Sequence, residues 1–271
     1  MKKFLVFLCA ILTATLLMAG AQAYATLVGV SSSDPGVVYD IDPSTGLATA
    51  IVTMAEHTSL VGATFLGGEL YGSDVLEATF RTGTIDMGTG AFTDVSDQDG
   101  SANWHGLASD ESAGLIYSID IDDSFKLKSL TAAGVVTTIG TGTGIDGRGM
   151  AYDDLNDILY ATNFGGSLYT VDTTLGTASL IGSMGLDISA NRIGLAYDEI
   201  NQILYANSGD LGSLYTIDVS TGAATLVGTN DAPVIDGLAW IDSTGVPEPT
   251  TMLLIVTGLV GLVGFRRKFR M

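Results

Sequence analysis

The chain has 271 residues, 35 of them glycine, with a formal charge of −19 and a mean hydropathy of +0.39. Residues 24–245 hold 29 acidic side chains against five basic ones, Arg81, Lys126, Lys128, Arg148 and Arg192, so their formal charge is −24. A field of that sign repels phosphate backbones and excludes nucleic acid as a partner.

The first 23 residues combine a basic start, Met1-Lys2-Lys3, an apolar run over 4–17 and the small-residue exit Ala21-Gln22-Ala23. This order predicts a secretory signal peptide cut after Ala23, with Ala23-Tyr24-Ala25 as a second exit. The only cysteine, Cys9, lies inside it. The mature chain therefore has no disulfide to draw on, and burial and backbone pairing must hold it together.

Residues 24–245 place Gly, Thr, Ser and Asp between short apolar runs, with no sustained 3.6-residue period, which predicts an all-β domain. One phrase recurs through it. Its clearest copies begin Ser167-Leu168-Tyr169-Thr170-Val171-Asp172 and Ser213-Leu214-Tyr215-Thr216-Ile217-Asp218, and weaker copies span 37–52, 82–95 and 126–140. Their turn glycines, Gly46, Gly90, Gly134, Gly176 and Gly222, are 44, 44, 42 and 46 residues apart. Two further strand phrases keep the same register, one typified by Ile193-Gly194-Leu195-Ala196-Tyr197-Asp198 and the other by Ile203-Leu204-Tyr205-Ala206-Asn207. Four short strands in a repeat of this length make one β-propeller blade.

The last repeat ends after its first strand, at 237–241, whereas the chain opens on an orphan second strand, Thr26-Leu27-Val28-Gly29-Val30. Pairing the two completes five four-stranded blades and closes the ring, which removes open sheet edges. Residues 158–228 resemble the YVTN-type repeats of bacterial surface propellers. That resemblance implies the fold and assigns no activity.

Several local patterns have plain structural readings. Asp42, Asp86, Asp172 and Asp218 stand at the ends of third strands before glycine turns, where a carboxylate accepts turn N–H groups. Gly142-Thr143-Gly144-Ile145-Asp146-Gly147 fits G-x-G-x-x-G, but a strand follows it where a nucleotide site needs a helix. Acidic clusters at Asp94, Asp97, Asp99 and at Asp120, Asp122, Asp123 read as solvated loops. Calcium held by a loop of another geometry is the alternative, since position 108, twelfth from Asp97, is Ala rather than the closing Glu of an EF-hand. No other cofactor is expected. His57 and His105 are the only histidines, and neither G-x-S-x-G nor a nucleophilic cysteine occurs.

The candidate binding residues are positional. The residues before each innermost strand face the mouth of the central channel: Leu60-Val61, Trp104-His105, Gly147-Arg148, Arg192-Ile193 and Ile235-Asp236. Trp104, His105, Arg148, Arg192 and Asp236 could hold an anionic or sugar-like ligand by arginine hydrogen bonds and tryptophan stacking, with the glycine-rich stretch 140–147 allowing close backbone approach. The alternative is that the two arginines only neutralise neighbouring carboxylates. A non-enzymatic binding or structural module, for exopolysaccharide or a surface protein, is the favoured reading. The rival is a glycosidase-like hydrolase, which would need a carboxylate pair in the channel.

The chain ends with Val246-Pro247-Glu248-Pro249, an apolar segment over 251–265, and the basic cluster Arg266, Arg267, Lys268 and Arg270. Residues 252–265 reach about 21 Å as a helix, short of a hydrocarbon core of about 30 Å, so the segment predicts a marginal, transient inner-membrane anchor with its basic end inside. This is the expected contact with membrane. In this order the three parts resemble the PEP-CTERM tail of Gram-negative bacteria. The resemblance implies recognition by a membrane exosortase, cleavage near the triplet, and release to the cell surface or extracellular matrix.

Overall fold

The computed structural model describes residues 27–56, 58–75, 80–97, 103–186, 192–209, 212–229 and 234–241. The signal peptide, the tail over 246–271, His57 and Asp99 lie outside them. Among the described residues no helix is long and apolar enough to cross a membrane.

In a compact unit, Ala25–Asp242, the described residues form twenty strands in five four-stranded antiparallel sheets. The first complete blade runs β4 (Leu60–Leu66), β5 (Glu69–Asp74), β6 (Arg81–Ile85) and β7 (Phe92–Asp97). The next comprises β8 (Ala108–Asp110), β9 (Leu115–Asp120), β10 (Lys126–Thr131) and β11 (Val136–Ile139). It is followed by β12 (Gly147–Asp153), β13 (Ile158–Asn163), β14 (Ser167–Val171) and β15 (Ala178–Ser183), then by β16 (Leu195–Asp198), β17 (Ile203–Ser208), β18 (Ser213–Ile217) and β19 (Ala224–Thr229). The fifth blade joins the two ends of the domain. Its order is β20 (Ile235–Trp240), β1 (Leu27–Ser31), β2 (Val37–Ile41) and β3 (Ala48–Thr53). The orphan strand β1 pairs antiparallel with β20, Leu27 opposite Trp240 and Gly29 opposite Leu238, as the repeat count requires. The chain is an all-β, five-bladed propeller.

The innermost strands β4, β8, β12, β16 and β20 adjoin one another in a closed ring, and glycine sets how closely. Gly62, Gly106, Gly149, Gly194 and Gly237 are the same position of the five repeats. A Cβ on Gly106 would stand 2.5 Å from the Arg148 carbonyl oxygen, on Gly149 2.6 Å from that of Ile193, on Gly194 2.5 Å from the Leu238 nitrogen, and on Gly237 2.8 Å from the Gly62 carbonyl carbon. On Gly62 it would strike the His105 carbonyl oxygen, which closes the cycle. Neighbouring inner strands thus touch backbone to backbone, which no larger residue permits.

The blade faces pack through side chains. Tyr117 stacks on Tyr152, Tyr160 on Tyr197 and Tyr205 on Trp240, with ring centroids 5.7–5.9 Å apart. Each pair joins the second strand of one blade to the first strand of the next. Around them Leu70, Ile116, Leu159 and Leu204 are fully buried, and each such side chain stabilises the fold by about 1.5–3 kcal/mol.

One end of the ring carries the turns between first and second and between third and fourth strands. Here the aspartates act as the sequence predicts: Asp42, Asp86, Asp172 and Asp218 each accept backbone N–H bonds of 2.8–3.3 Å through Oδ1. The Ser44 and Ser220 hydroxyls, which donate to Asp42 and Asp218, together with the backbone bonds hold these two carboxyls below the usual carboxylate range, and the Thr89 and Gly88 N–H groups do the same for Asp86. Gly46, Gly90, Gly176 and Gly222 complete the turns at φ between 65° and 80°. A second set of carboxylates ties blade to blade. Glu111 accepts from Gly67 N, Asp154 from Glu111 N, and Glu199 from Asp154 N and Leu155 N, at 2.7–3.3 Å.

Candidate functional site

The opposite end, where the innermost strands begin, opens into a cavity of about 300 Å³. Every blade contributes to its wall. Val61, His105, Arg148, Ile193 and Asp236, each the residue before a ring glycine, line it together with Arg192, and Ser32, Ser59 and Val75 complete it. The strand register explains why these side chains face inward. In β4 the pairing runs from Leu60 with Asp74 to Gly62 with Ser73, so Val61 is an extra residue. The same one-residue bulge falls at Asp236 in β20 and within Arg148–Gly149 in β12. A bulge re-aims a side chain and frees backbone groups. Side chains of the second strands satisfy those groups: Gly149 N donates to Thr162 Oγ1 at 2.9 Å, Gly194 N donates to Asn207 Oδ1 at 2.7 Å, and Ser118 Oγ donates to Gly106 O at 2.7 Å.

The bulge also separates two positions that the sequence had grouped as one. Trp104 precedes His105 and occupies the place of Leu60 and Ile235, which pair in register and point away from the axis. Its ring is 1% exposed and packs among Leu66, Tyr71, Leu107, Ile116 and Leu130. Trp104 is a core residue and offers the channel no stacking face, which corrects the expectation from sequence. The exposed aromatic ring at this end is Phe164, 44% exposed, with the Arg148 guanidinium 5.7 Å over it. Sequence reading missed Phe164 because it follows a second strand rather than preceding a first one.

The glycine-rich stretch before Arg148 also differs from expectation. Gly140 abuts the Leu175 carbonyl of the next blade and Gly147 lies against Ile119, so these glycines serve packing; a Cβ on Gly144 would meet nothing.

The charges of the wall are arranged in couples. The Arg148 side chain is 10% exposed and donates through Nη2 to Asp146 Oδ2 at 2.9 Å, while its buried Nε has no hydrogen-bond partner. Arg192, 40% exposed, holds its Nε 3.9 Å from Asp236 Oδ1. His105 is largely buried beside the Arg148 guanidinium, and burial first, then that charge, lower its pKa to about 4. It is neutral at pH 7. The other cations of the domain lie at this end as well: Arg81 pairs with Asp74 at 2.8 Å, Lys126 with Asp123 at 2.8 Å, and Lys128 with Asp123 at 2.6 Å. No basic residue stands in a described turn of the opposite end.

Among the described residues no cluster of three His, Cys, Asp or Glu side chains could hold a metal ion. The cavity wall holds His105, Arg148, Arg192 and Asp236 together and leaves Trp104 out. Such a set can donate and accept hydrogen bonds to a polar ligand, and Asp236 is the carboxylate among the described lining residues.

Solved structures with this architecture include the nidogen/laminin complex, matched with a TM-score of 0.56 and 13% identity over 79% of this chain and 97% of that one. A protein from Bacteroides thetaiotaomicron VPI-5482 matches with a TM-score of 0.51 and 16% identity, over 74% and 49% of the two chains. At these identities the likeness is one of fold alone. Comparison with curated proteins gave no match. The family comparison matches residues 245–268 to the PEP-CTERM protein-sorting motif, the segment in which Pro247-Glu248-Pro249 precedes the apolar run and the arginines. This motif implies export, a membrane-associated sorting tail and processing by an exosortase. The chain is a five-bladed β-propeller that carries a PEP-CTERM sorting motif.

Proposed function

We propose that this protein is a binding module delivered to the cell surface or extracellular matrix, and that the mouth cavity is where it binds. The observation that carries the reading is the contrast within one position. The five repeats place the residue before each ring glycine at the axis, yet that residue is Val61, His105, Arg148, Ile193 or Asp236. The fold does not require these differences, so they are available for recognition. Binding is favoured over hydrolysis because glycoside hydrolysis works with two carboxylates, and the described wall supplies Asp236 alone.

Delivery uses both ends of the chain. The signal peptide is removed after Ala23, and exosortase acts near Val246-Pro247-Glu248-Pro249 while residues 251–265 and the basic cluster hold the tail in the inner membrane. Mass spectrometry of surface material from an exosortase-bearing host tests this: peptides should end near Pro249, and recovery of intact peptides through Arg270 would sink it. A glycan and surface-protein array probed with the secreted protein tests the binding role. Signals that vanish for Arg192→Ala are expected, whereas turnover of a glycan on the array would favour the hydrolase.

A further inference from the structure

We propose that the mouth cavity takes an uncharged, polyhydroxylated ligand, the terminal residue of a neutral sugar, with its hydroxyls bridging Arg192 and Asp236. The inference rests on the reading of the mouth as the binding site, and it names the ligand class.

The argument begins with charge. Both guanidinium groups of the wall already stand beside carboxylates, Arg148 at 2.9 Å from Asp146 and Arg192 at 3.9 Å from Asp236. With His105 neutral, the two arginine–aspartate couples leave the described wall of the mouth without net charge, and it sits in a domain of formal charge −24. An anion would have to compete with Asp146 for Arg148 while the whole domain repels it. A cation would meet the arginines. An uncharged ligand encounters neither cost.

Geometry then selects hydroxyls. The 3.9 Å between Arg192 Nε and Asp236 Oδ1 exceeds the roughly 2.7–3.2 Å of an N–H···O hydrogen bond. A hydroxyl group both accepts and donates, so one inserted there accepts from the guanidinium and donates to the carboxylate. Arg148 Nε, buried in a side chain that is nine-tenths enclosed, has no hydrogen-bond partner and would gain an acceptor. Such a donor is costly to leave unmade. Val61, Val75 and Ile193 give the same cavity an aliphatic wall, which suits the C–H faces of a sugar ring. The volume of about 300 Å³ is at the lower end of small-molecule sites, which fits a chain terminus better than a polymer lying across the ring.

The experiment uses the secreted full-length protein and matched oligosaccharide pairs, neutral galactosides and glucosides against the corresponding galacturonides and glucuronides. Each is offered as a free oligosaccharide and as a protein-linked glycan, which separates a polysaccharide source from a glycoprotein source. Neutral members are expected to bind at least about tenfold more tightly than their acidic partners, with an affinity that added salt leaves unchanged. Arg192→Gln and Asp236→Asn, each checked by melting temperature, should each weaken that binding. Tighter binding of the uronides, weakened by salt and lost in Arg192→Gln, would overturn the neutral ligand and leave the mouth as the site. Binding of either kind that neither variant disturbs would overturn the site itself.

Discussion

The turn end of the propeller repeats itself and the mouth end does not, although the same twenty strands reach both. At the turn end an aspartate and a positive-φ glycine recur from blade to blade, and Glu111, Asp154 and Glu199 each reach back to the preceding blade. At the mouth the equivalent residues are valine, histidine, arginine, isoleucine and aspartate. Uniformity marks what the fold needs, and divergence marks what it leaves free. The comparison gives substitutions at the two ends opposite consequences.

Trp104 is the sharpest case, because it sits at the mouth in sequence and in the core in space. Replacing it by Ala should cost about 3–5 kcal/mol, the loss expected for a large aromatic side chain in a packed core. Urea denaturation measures this directly. A cost below about 0.5 kcal/mol would place the ring on the surface and return Trp104 to the candidate ligand set.

Gly149→Ala comes next. A Cβ there stands 2.6 Å from the Ile193 carbonyl oxygen and 3.1 Å from Gly194, both backbone of the adjoining blade, so the ring must widen. Overpacking of this kind costs about 1–3 kcal/mol. Gly165→Ala is the control, since its Cβ would meet only the Asn163 amide at 3.6–3.7 Å. It should be neutral, or stabilising by up to about 1 kcal/mol through the unfolded chain. Equal melting temperatures for the two variants would mean that the inner ring has slack.

The two ends also oppose each other in pH. Burial, with Asp153 and Asp154 nearby, pushes Glu199 at the turn end from 4.5 up to about 7, and burial raises Asp154 from 3.8 to about 6. The folded protein then binds protons that the unfolded chain has released, so this contribution to stability is lost as pH rises from about 4.5 to 7. His105 at the mouth does the reverse. Its pKa falls from 6.5 to about 4, the unfolded chain binds the extra proton, and stability is lost as pH falls through that interval. The two slopes offset one another between about pH 4.5 and 6.5. His105→Gln should expose the first, with melting temperature rising as pH is lowered from 7. Glu199→Gln should flatten the profile instead, because Asp154 and His105 then oppose each other with one proton each between about pH 4 and 6. Parallel pH profiles for the two variants would refute the assignment.

Most of the fold was legible because it is repeated. Five copies of a 44-residue period, turn aspartates with glycines, and an orphan strand at the start fix blade number and closure from sequence alone, and β1 pairs with β20 accordingly. The site was legible only to the position. Strand alternation in a regular ladder cannot reveal where a bulge inserts one residue, and that bulge turns His105, Arg148 and Asp236 to the axis while leaving Trp104 in the core. The signal available was the glycine after each mouth residue, common to all five repeats, which marks close backbone approach. Phe164 carried no such mark.

Arg192→Ala should have the smallest effect on stability and isolates the mouth most cleanly. Its side chain is 40% exposed and its ion pair with Asp236, whose own side chain is 5% exposed, spans 3.9 Å, too long for a direct hydrogen bond, so the pair contributes about 1 kcal/mol or less. The melting temperature should therefore move little, by the equivalent of about 0.5 kcal/mol or less. Binding at the mouth should fall well beyond that, because the guanidinium reaches the ligand directly and a hydrogen bond to a charged group contributes about 1.5–3 kcal/mol. Calorimetric titration beside a thermal melt of the same sample makes the comparison. A large drop in melting temperature with unaltered binding would assign Arg192 to the scaffold, and the mouth would then obey the same rule as the turns.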